Sequence, residues 1–408
     1  MGLDKNFEPV LRFAVMSDIH VEDDHTVERE RFVKAIQYAY DIAGESASYK
    51  ELDALYIVGD FADDGSETSM TAAKDIIDKN IKEGTKVVLT MASHEFKHDG
   101  EQNARERFVR IFGQPCDTHE IINGFHFIAV STTDGCHFRA PQKEFAKENL
   151  KSAAAAGAKK PIFFFQHPHI TDTVYGSINW GEDELTAILM DYPQIINFSG
   201  HSHAPINDPR SIHQKHFTSL GTGTLSYFEL DEFDKITGTI PDDCEKAAQM
   251  LIVEADAQNR VRVYPFDILT NSFFPYIWKV DAPSDPSAFL YTDSRYKTVS
   301  APRFADGAEC SFELPKAGVV SISFPQALPA DGEIYVNSYD IVIKKASDGT
   351  TAKRLSVWSG YYFSDMPQKI TRAVDGLDSG AEYTVEIYPS GFFKNTGDSP
   401  LKGSFKAL

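Results

Sequence analysis

Strand after strand of this chain runs out into a metal-ligand side chain, and the pattern starts at `LRFAVMSDIH`, residues 11–20. Leu11, Phe13, Val15 and Met16 form an apolar run that predicts a buried strand with Ser17 at its exit. Asp18 and His20 follow at once, and a carboxylate beside an imidazole suits a divalent metal better than either alone. One such pair is common. In an open α/β sheet, however, the C-terminal ends of the strands face one crevice, so later strand ends can complete a site. `LDALYIVGD` ends at Asp60, `KVVLTM` runs into Ser93, His94 and Glu95, `PIFFFQHPH` ends at His167 and His169, and `QIINFSGHSH` ends at His201 and His203. A turn cap or a core histidine accounts for any one of these, but not for five strand ends together.

Between the strands the pattern is helical. Phe32, Ile36 and Tyr40 share one face between Val27 and Ala43, and Met70, Ala73, Ile77 and Ile81 share another ahead of Gly84. Helices are also expected over Glu101–Phe112, in `EFAKENLKSAAAAGAKK` and near Glu182–Met190, with a hairpin turning at Asp256–Asn259. The acidic loop `ELDEFDKITGTIPDDCEK` is expected to border the crevice. This alternation gives an α/β domain over residues 1–280. A chain of 408 residues is long for one core, and its character changes at `DAPSDPSAF`. Residues 281–297 read as a linker, and seven short strand-like segments over 298–408 predict a small all-β immunoglobulin-like sandwich.

Acidic residues outnumber basic ones 60 to 40, for a formal net charge of -20, which disfavours nucleic acid and anionic membrane surfaces as partners. No stretch approaches the roughly 20 apolar residues of a transmembrane helix. Cys116, Cys136, Cys244 and Cys310 contain no Cys-x-x-Cys, which argues against a structural zinc site or thioredoxin-like redox chemistry and leaves any disulfide unassigned. The start, `MGLDKNFEPVLRF`, lacks the features of a signal peptide, so a cytoplasmic protein is expected unless a leader has been removed. There is no Gly-x-x-x-x-Gly-Lys loop and no Gly-x-Gly-x-x-Gly motif, so a phosphate here would be held by metals rather than by a backbone nest.

The segments `DIH`, `GDFADD`, `ASHEF`, `FQHPH` and `GHSH`, in this order between residues 17 and 203, resemble the calcineurin-like metallophosphoesterases, the superfamily that includes purple acid phosphatases. The resemblance covers about residues 10–270 and implies a β-sandwich flanked by helices, in four layers αββα. It further implies two divalent or trivalent metal ions (manganese, iron or zinc) about 3.5 Å apart. Asp18, His20 and His203 would hold the first, His167 and His201 the second, and Asp60 would bridge them. The implied reaction is hydrolysis of a phosphomonoester or small phosphodiester by a hydroxide held between the metals. His94 would act on the phosphoryl oxygens or the leaving group, and Glu95 would orient a neighbouring histidine, a surface carboxylate being the competing reading.

Two departures matter. Ser93 stands where the family has an asparagine ligand, which predicts a weaker second site, and Ala92 replaces a glycine at a tight turn. Ser93 thereby opens an alternative: a weakly active or non-catalytic binding protein with a degenerate metal site. In `QHPH`, His169 rivals His167 as the ligand. Tyr175 and Arg210 follow ligand-bearing segments and are candidate substrate contacts, although an ion pair between Arg210 and a nearby aspartate explains it as well. Asp63 and Asp64 are expected only to tune the charge around Asp60. The ending `YTVEIYPSGFFKNTGDSPL` resembles a fibronectin type III domain, which could contact a cell surface or carbohydrate.

Overall fold

A computed structural model describes residues 2–22, 26–231 and 240–408, so the middle of the acidic loop expected at the crevice, residues 232–239, lies outside the described residues. The chain divides into two compact units, residues 1–292 and 293–408.

In the first unit the apolar runs become two sheets. β1 (Pro9–Met16), β2 (Ala54–Val58) and β3 (Lys86–Thr90) are parallel neighbours, and Gln249–Asp256 pairs antiparallel on the other side of β1. Beyond it, Val261–Asp267 completes the expected hairpin. The second sheet contains β4 (Thr118–Ile122), β5 (Phe125–Ala129) and β6 (Ile162–Phe165). It continues through Ile195–Ser199, Thr218–Gly221 and Ile212–Gln214.

β2, β5, β6 and Ile195–Ser199 are buried on both faces, which is why the sequence shows apolar runs there rather than alternation. The inner faces meet in an aromatic core. Phe13 packs edge-on against Phe127 and Phe163, with ring centroids 5.1 and 4.8 Å apart, and Tyr56 stacks on Phe165 at 4.0 Å. Burying each such side chain is worth about 1.5–3 kcal/mol. The outer face of the first sheet carries α1 (Thr26–Glu45), α2 (Glu67–Asn80) and α3 (Glu101–Phe112). That of the second carries α4 (Ala140–Ala156). The four-layer αββα arrangement is therefore the observed one.

The helix expected over Glu182–Met190 is instead a two-residue strand, Gly181–Glu182, and a single turn, Thr186–Leu189. The Glu182 carboxylate accepts the N–H groups of Glu184 and Leu185, so the helical turn can begin only after it, and Pro193 follows soon after. Residues after Asp281 also pack on the first unit: the N–H groups of Leu290 and Tyr291 donate to Gln214 Oε1 at 2.8 and 3.0 Å.

The second unit is an antiparallel sandwich. Ser311–Lys316, Val319–Pro325 and Lys369–Val374 form one sheet. Thr351–Trp358, Ser338–Lys345, Glu382–Ser390 and Leu401–Lys406 form the other. Val320, Ile322 and Phe324 meet Tyr339, Ile341 and Ile343 between them. Tyr383, early in its strand, accepts the N–H of Asp378 on its hydroxyl at 2.9 Å, a corner that ties the strand to the preceding loop.

Candidate metal centre

The strand ends converge. Asp18, His20 and His203 place one donor atom each within 4.8 Å of one another, and so do Asp60, His167 and His201. Local backbone geometry makes this possible. Asp18, His20, Asp60, His201 and His203 all have positive φ, between 48° and 72°. That left-handed conformation costs a non-glycine residue about 1 kcal/mol or more, and such strain gathers where function needs it. Two glycines supply the closeness. A Cβ on Gly59 would lie 2.6 Å from His167 Nδ1, and one on Gly200 would lie 2.4 Å from Asp18 Oδ2.

Hydrogen bonds set which histidine nitrogens point inward. His167 Nδ1 donates to the Val58 carbonyl at 2.7 Å, so its Nε2 faces Asp60 Oδ2, 3.0 Å away. His203 Nδ1 donates to the Tyr227 carbonyl at 2.8 Å, and its Nε2 stands 3.2 Å from His20 Nε2 and 3.3 Å from Asp18 Oδ1. Acceptors therefore face acceptors in a buried cluster, an arrangement that is costly unless a cation lies between them. Two ligands at 2.0–2.2 Å from a common ion stand roughly 2.9–3.4 Å apart, which matches these separations. The donor set fits metal ions.

Electrostatics agree. Burial opposes a charged His167, yet Asp60 and Asp18 outweigh it and push the imidazole up to about 10, so without a metal a proton takes the cation's place. Burial raises the Asp60 carboxyl, but His167 beside it, with His94 and His20, holds it well below the usual range. Burial, reinforced by His20, holds His203 neutral with its lone pair available.

Around this cluster several expectations change. Glu95 is fully buried, and its carboxylate accepts backbone rather than histidine N–H groups among the described residues: those of Asp60, Ala62 and Ala92 at 3.0, 3.0 and 2.8 Å. It pins the Asp60 loop to the turn after β3. Ala92 does not have positive φ, so that turn did not need a glycine. Ser93 Oγ donates to Asp60 Oδ2 at 2.8 Å, and the His94 N–H donates to Oδ1, also at 2.8 Å. His169 lies between Ser199 Oγ and Ser202 Oγ, and burial with His201 and His167 lowers it to about 3, marking a neutral structural residue. Arg210 makes a two-point ion pair with buried Asp208 and stacks on Tyr175, whose hydroxyl accepts the N–H of Asp231. The ion-pair reading of Arg210 is the observed one. Asp64 ties down the start of α2, accepting from Ser66 N–H and Ser69 Oγ.

Asp63 does more than tune charge. Its Oδ1 stands 3.3 Å from both His20 Nδ1 and His94 Nδ1, joining His20 of the cluster to His94. Hydrogen bonds from His20 and His94 hold its carboxyl well below the usual range. Burial opposes the His94 cation, but Asp63 and Asp60 favour it, and the balance raises His94. Other neighbours were not anticipated. Tyr227 packs on His203 at 4.3 Å between ring centroids, Trp180 meets His201 edge-on at 5.1 Å, and Cys136 Sγ lies 3.6 Å from His201 Nε2. Asp63 stands three residues after Asp60, a usable signal; Trp180, Cys136 and Tyr227 have no local one.

Residues 11–205 match the calcineurin-like phosphoesterase family, and the first unit has that fold. No curated protein matches the chain significantly. Among solved structures, it is similar to a purple acid phosphatase from yellow lupin (Lupinus luteus) seeds, at 14% identity and a TM-score of 0.46, over 66% of this chain and 53% of that one. The chain thus spans about half the length of that relative. It is also similar to a fibronectin type III domain of human collagen XX, at 18% identity and a TM-score of 0.19, over 27% of this chain and 93% of that one. A third similarity is to the d3–d4 domains of rat CD45, at 14% identity and a TM-score of 0.20, over 33% of this chain and 61% of that one.

Proposed function

We propose that this protein is a dinuclear metal-dependent phosphohydrolase acting on a phosphomonoester or small phosphodiester. The observation that carries the reading is the buried convergence of ligand atoms: His20 Nε2 and His203 Nε2 stand 3.2 Å apart beside Asp18, and His167 Nε2 stands 3.0 Å from Asp60 Oδ2. Asp18, His20 and His203 would hold one ion, His167 and His201 the other, and Asp60 would touch both. Ser93 Oγ, already 2.8 Å from Asp60 Oδ2, is close enough to help at the second. Manganese, iron or zinc bound there would supply Lewis acidity and lower the pKa of water toward neutrality.

The chain's own residues do the rest. Glu95 fixes the Asp60 loop, so the shared carboxylate does not swing away when charge changes around it. Asp63 orients His94 by accepting from its Nδ1, which leaves Nε2 to deliver a proton to the leaving oxygen of the ester. The asymmetry of the two donor sets makes the ion beside Ser93 the more weakly held.

Elemental analysis of protein purified without chelator, paired with hydrolysis of p-nitrophenyl phosphate and bis-p-nitrophenyl phosphate with added Mn²⁺, tests the proposal. Asp60→Asn should abolish turnover and lower bound metal. Unchanged metal content and rate in that variant would refute it.

A binding role for the second unit is a separate reading, favoured by one feature. A cavity of about 440 Å³ in the sandwich is lined by Lys316, Lys353, Arg354 and Arg372, with Asp375 the one acid among them. The acidic excess of the chain lies almost wholly before Asp293. We read the sandwich as fibronectin type III-like, on its three-plus-four strands and the Tyr383 corner, and its groove as a seat for an anionic carbohydrate. Retention of the wild type but not of a Lys353→Ala/Arg372→Ala variant on a sulfated polysaccharide column would support this; equal retention would overturn it.

A further inference from the structure

We propose that Lys97 is a substrate-binding residue that selects phosphomonoesters over phosphodiesters; this rests on reading the centre as a phosphohydrolase. The argument starts from local geometry. His94–Phe96 is a single 3-10 turn, and Lys97 closes it with its N–H on the His94 carbonyl at 3.2 Å. With three residues per turn, side chains at i and i+3 eclipse. Lys97 therefore lies over His94, its Nζ 2.8 Å from Nδ1 and 2.8 Å from Nε2 of the imidazole. The His94 backbone N–H in turn donates to Asp60 Oδ1 at 2.8 Å, so the turn that carries the ammonium is fastened to the carboxylate expected to join the two metals.

Lys97 is exposed, and among the described residues no carboxylate forms an ion pair with it, whereas Arg210 is held by Asp208. The ammonium is thus a positive charge at the rim of the centre, beside the histidine expected to act on the leaving group. A phosphomonoester offers three non-bridging oxygens and up to two negative charges. A diester offers two such oxygens and one charge, with carbon on the oxygen where the third would be. A lysine, a flexible point charge with three donors, suits the additional oxygen of the monoester.

The test uses the full chain with Lys97→Met, which keeps the length of the side chain and removes the charge, and Lys97→Arg. On p-nitrophenyl phosphate, Lys97→Met should lose about 10- to 100-fold in kcat/KM, mostly through KM, as expected for one lost charge-assisted hydrogen bond. On bis-p-nitrophenyl phosphate the change should stay below about threefold, and Lys97→Arg should restore most of the monoester activity. Calorimetric titration with inorganic phosphate should show affinity falling by a similar factor, with metal content unchanged. Equal losses on both esters, with a shifted pH profile, would mean that Lys97 acts only on His94 and would overturn the proposal. So would unchanged phosphate affinity. If the wild type binds metal and phosphate but cleaves neither ester, the phosphohydrolase reading fails, and the phosphate titration alone decides the role of Lys97.

Discussion

Glu95 gives the sharpest test of how the centre is built. Its two oxygens receive three buried N–H groups: Asp60 and Ala92 on Oε2, and Ala62 on Oε1. Glu95→Ala leaves all three without a partner. Each such loss costs about 1–3 kcal/mol, and water entering the gap recovers part, so the expected destabilisation is about 5 kcal/mol. Against a total stability of roughly 5–15 kcal/mol that is severe. Glu95→Gln keeps one oxygen, which can serve Asp60 and Ala92, but turns an amide N–H₂ toward the Ala62 N–H; about 2 kcal/mol is expected. Urea unfolding of the full chain, followed by a probe in the first unit, should rank wild type above Gln and Gln above Ala. Metal content should fall in the same order, because the backbone that carries Asp60 is freed. Equal stability of the two variants, or values within about 0.5 kcal/mol of wild type, would refute the argument.

Four further outcomes are expected. His94→Ala should keep its metals and lose about 10²-fold or more in rate, whereas metal loss would make His94 a ligand. Metal titration of the wild type should show two separated steps that Ser93→Asn brings together, and equal affinities unaltered by the substitution would sink the account of Ser93. Burial pushes the Glu182 carboxyl up to about 7, despite the N–H groups of Leu185 and Glu184. A folded pKa above the unfolded value near 4.5 gives stability that is present below pH 4.5 and lost as pH rises through 7, at most about 3 kcal/mol. Glu182→Gln should therefore flatten the stability profile between pH 5 and 8, and parallel profiles would refute this. A fragment of residues 1–292 should fold and bind metal, while one ending at 281 should be less stable because it lacks Leu290 and Tyr291 on Gln214; indistinguishable urea midpoints would contradict it.

Much of the architecture was legible in the chain alone. Strands buried on both faces must be continuously apolar, so β1, β2, β6 and Ile195–Ser199 announced themselves, and their ends carry the candidate donors Asp18, His20, Asp60, His167, His201 and His203. The order of elements followed for the same reason: helix and strand periods differ, and the chain switches between them cleanly. Folding alone decided what depends on residues distant in sequence. Whether His167 or His169 turns inward is set by the Val58 carbonyl and by Ser199 and Ser202, which lie on other strands or just past their ends. Glu95 looked like a partner for a histidine until three backbone N–H groups claimed it, and Arg210 looked available until Asp208 did. Tyr227 and Cys136 reach the centre from loops, and Trp180 from the single helical turn Ser177–Trp180, segments whose composition gives no hint of it. Period and polarity are carried by neighbours in the chain, so a sequence displays them. The partner of a buried hydrogen bond is chosen by which strands pack together, and that exists only once the two sheets have closed on each other.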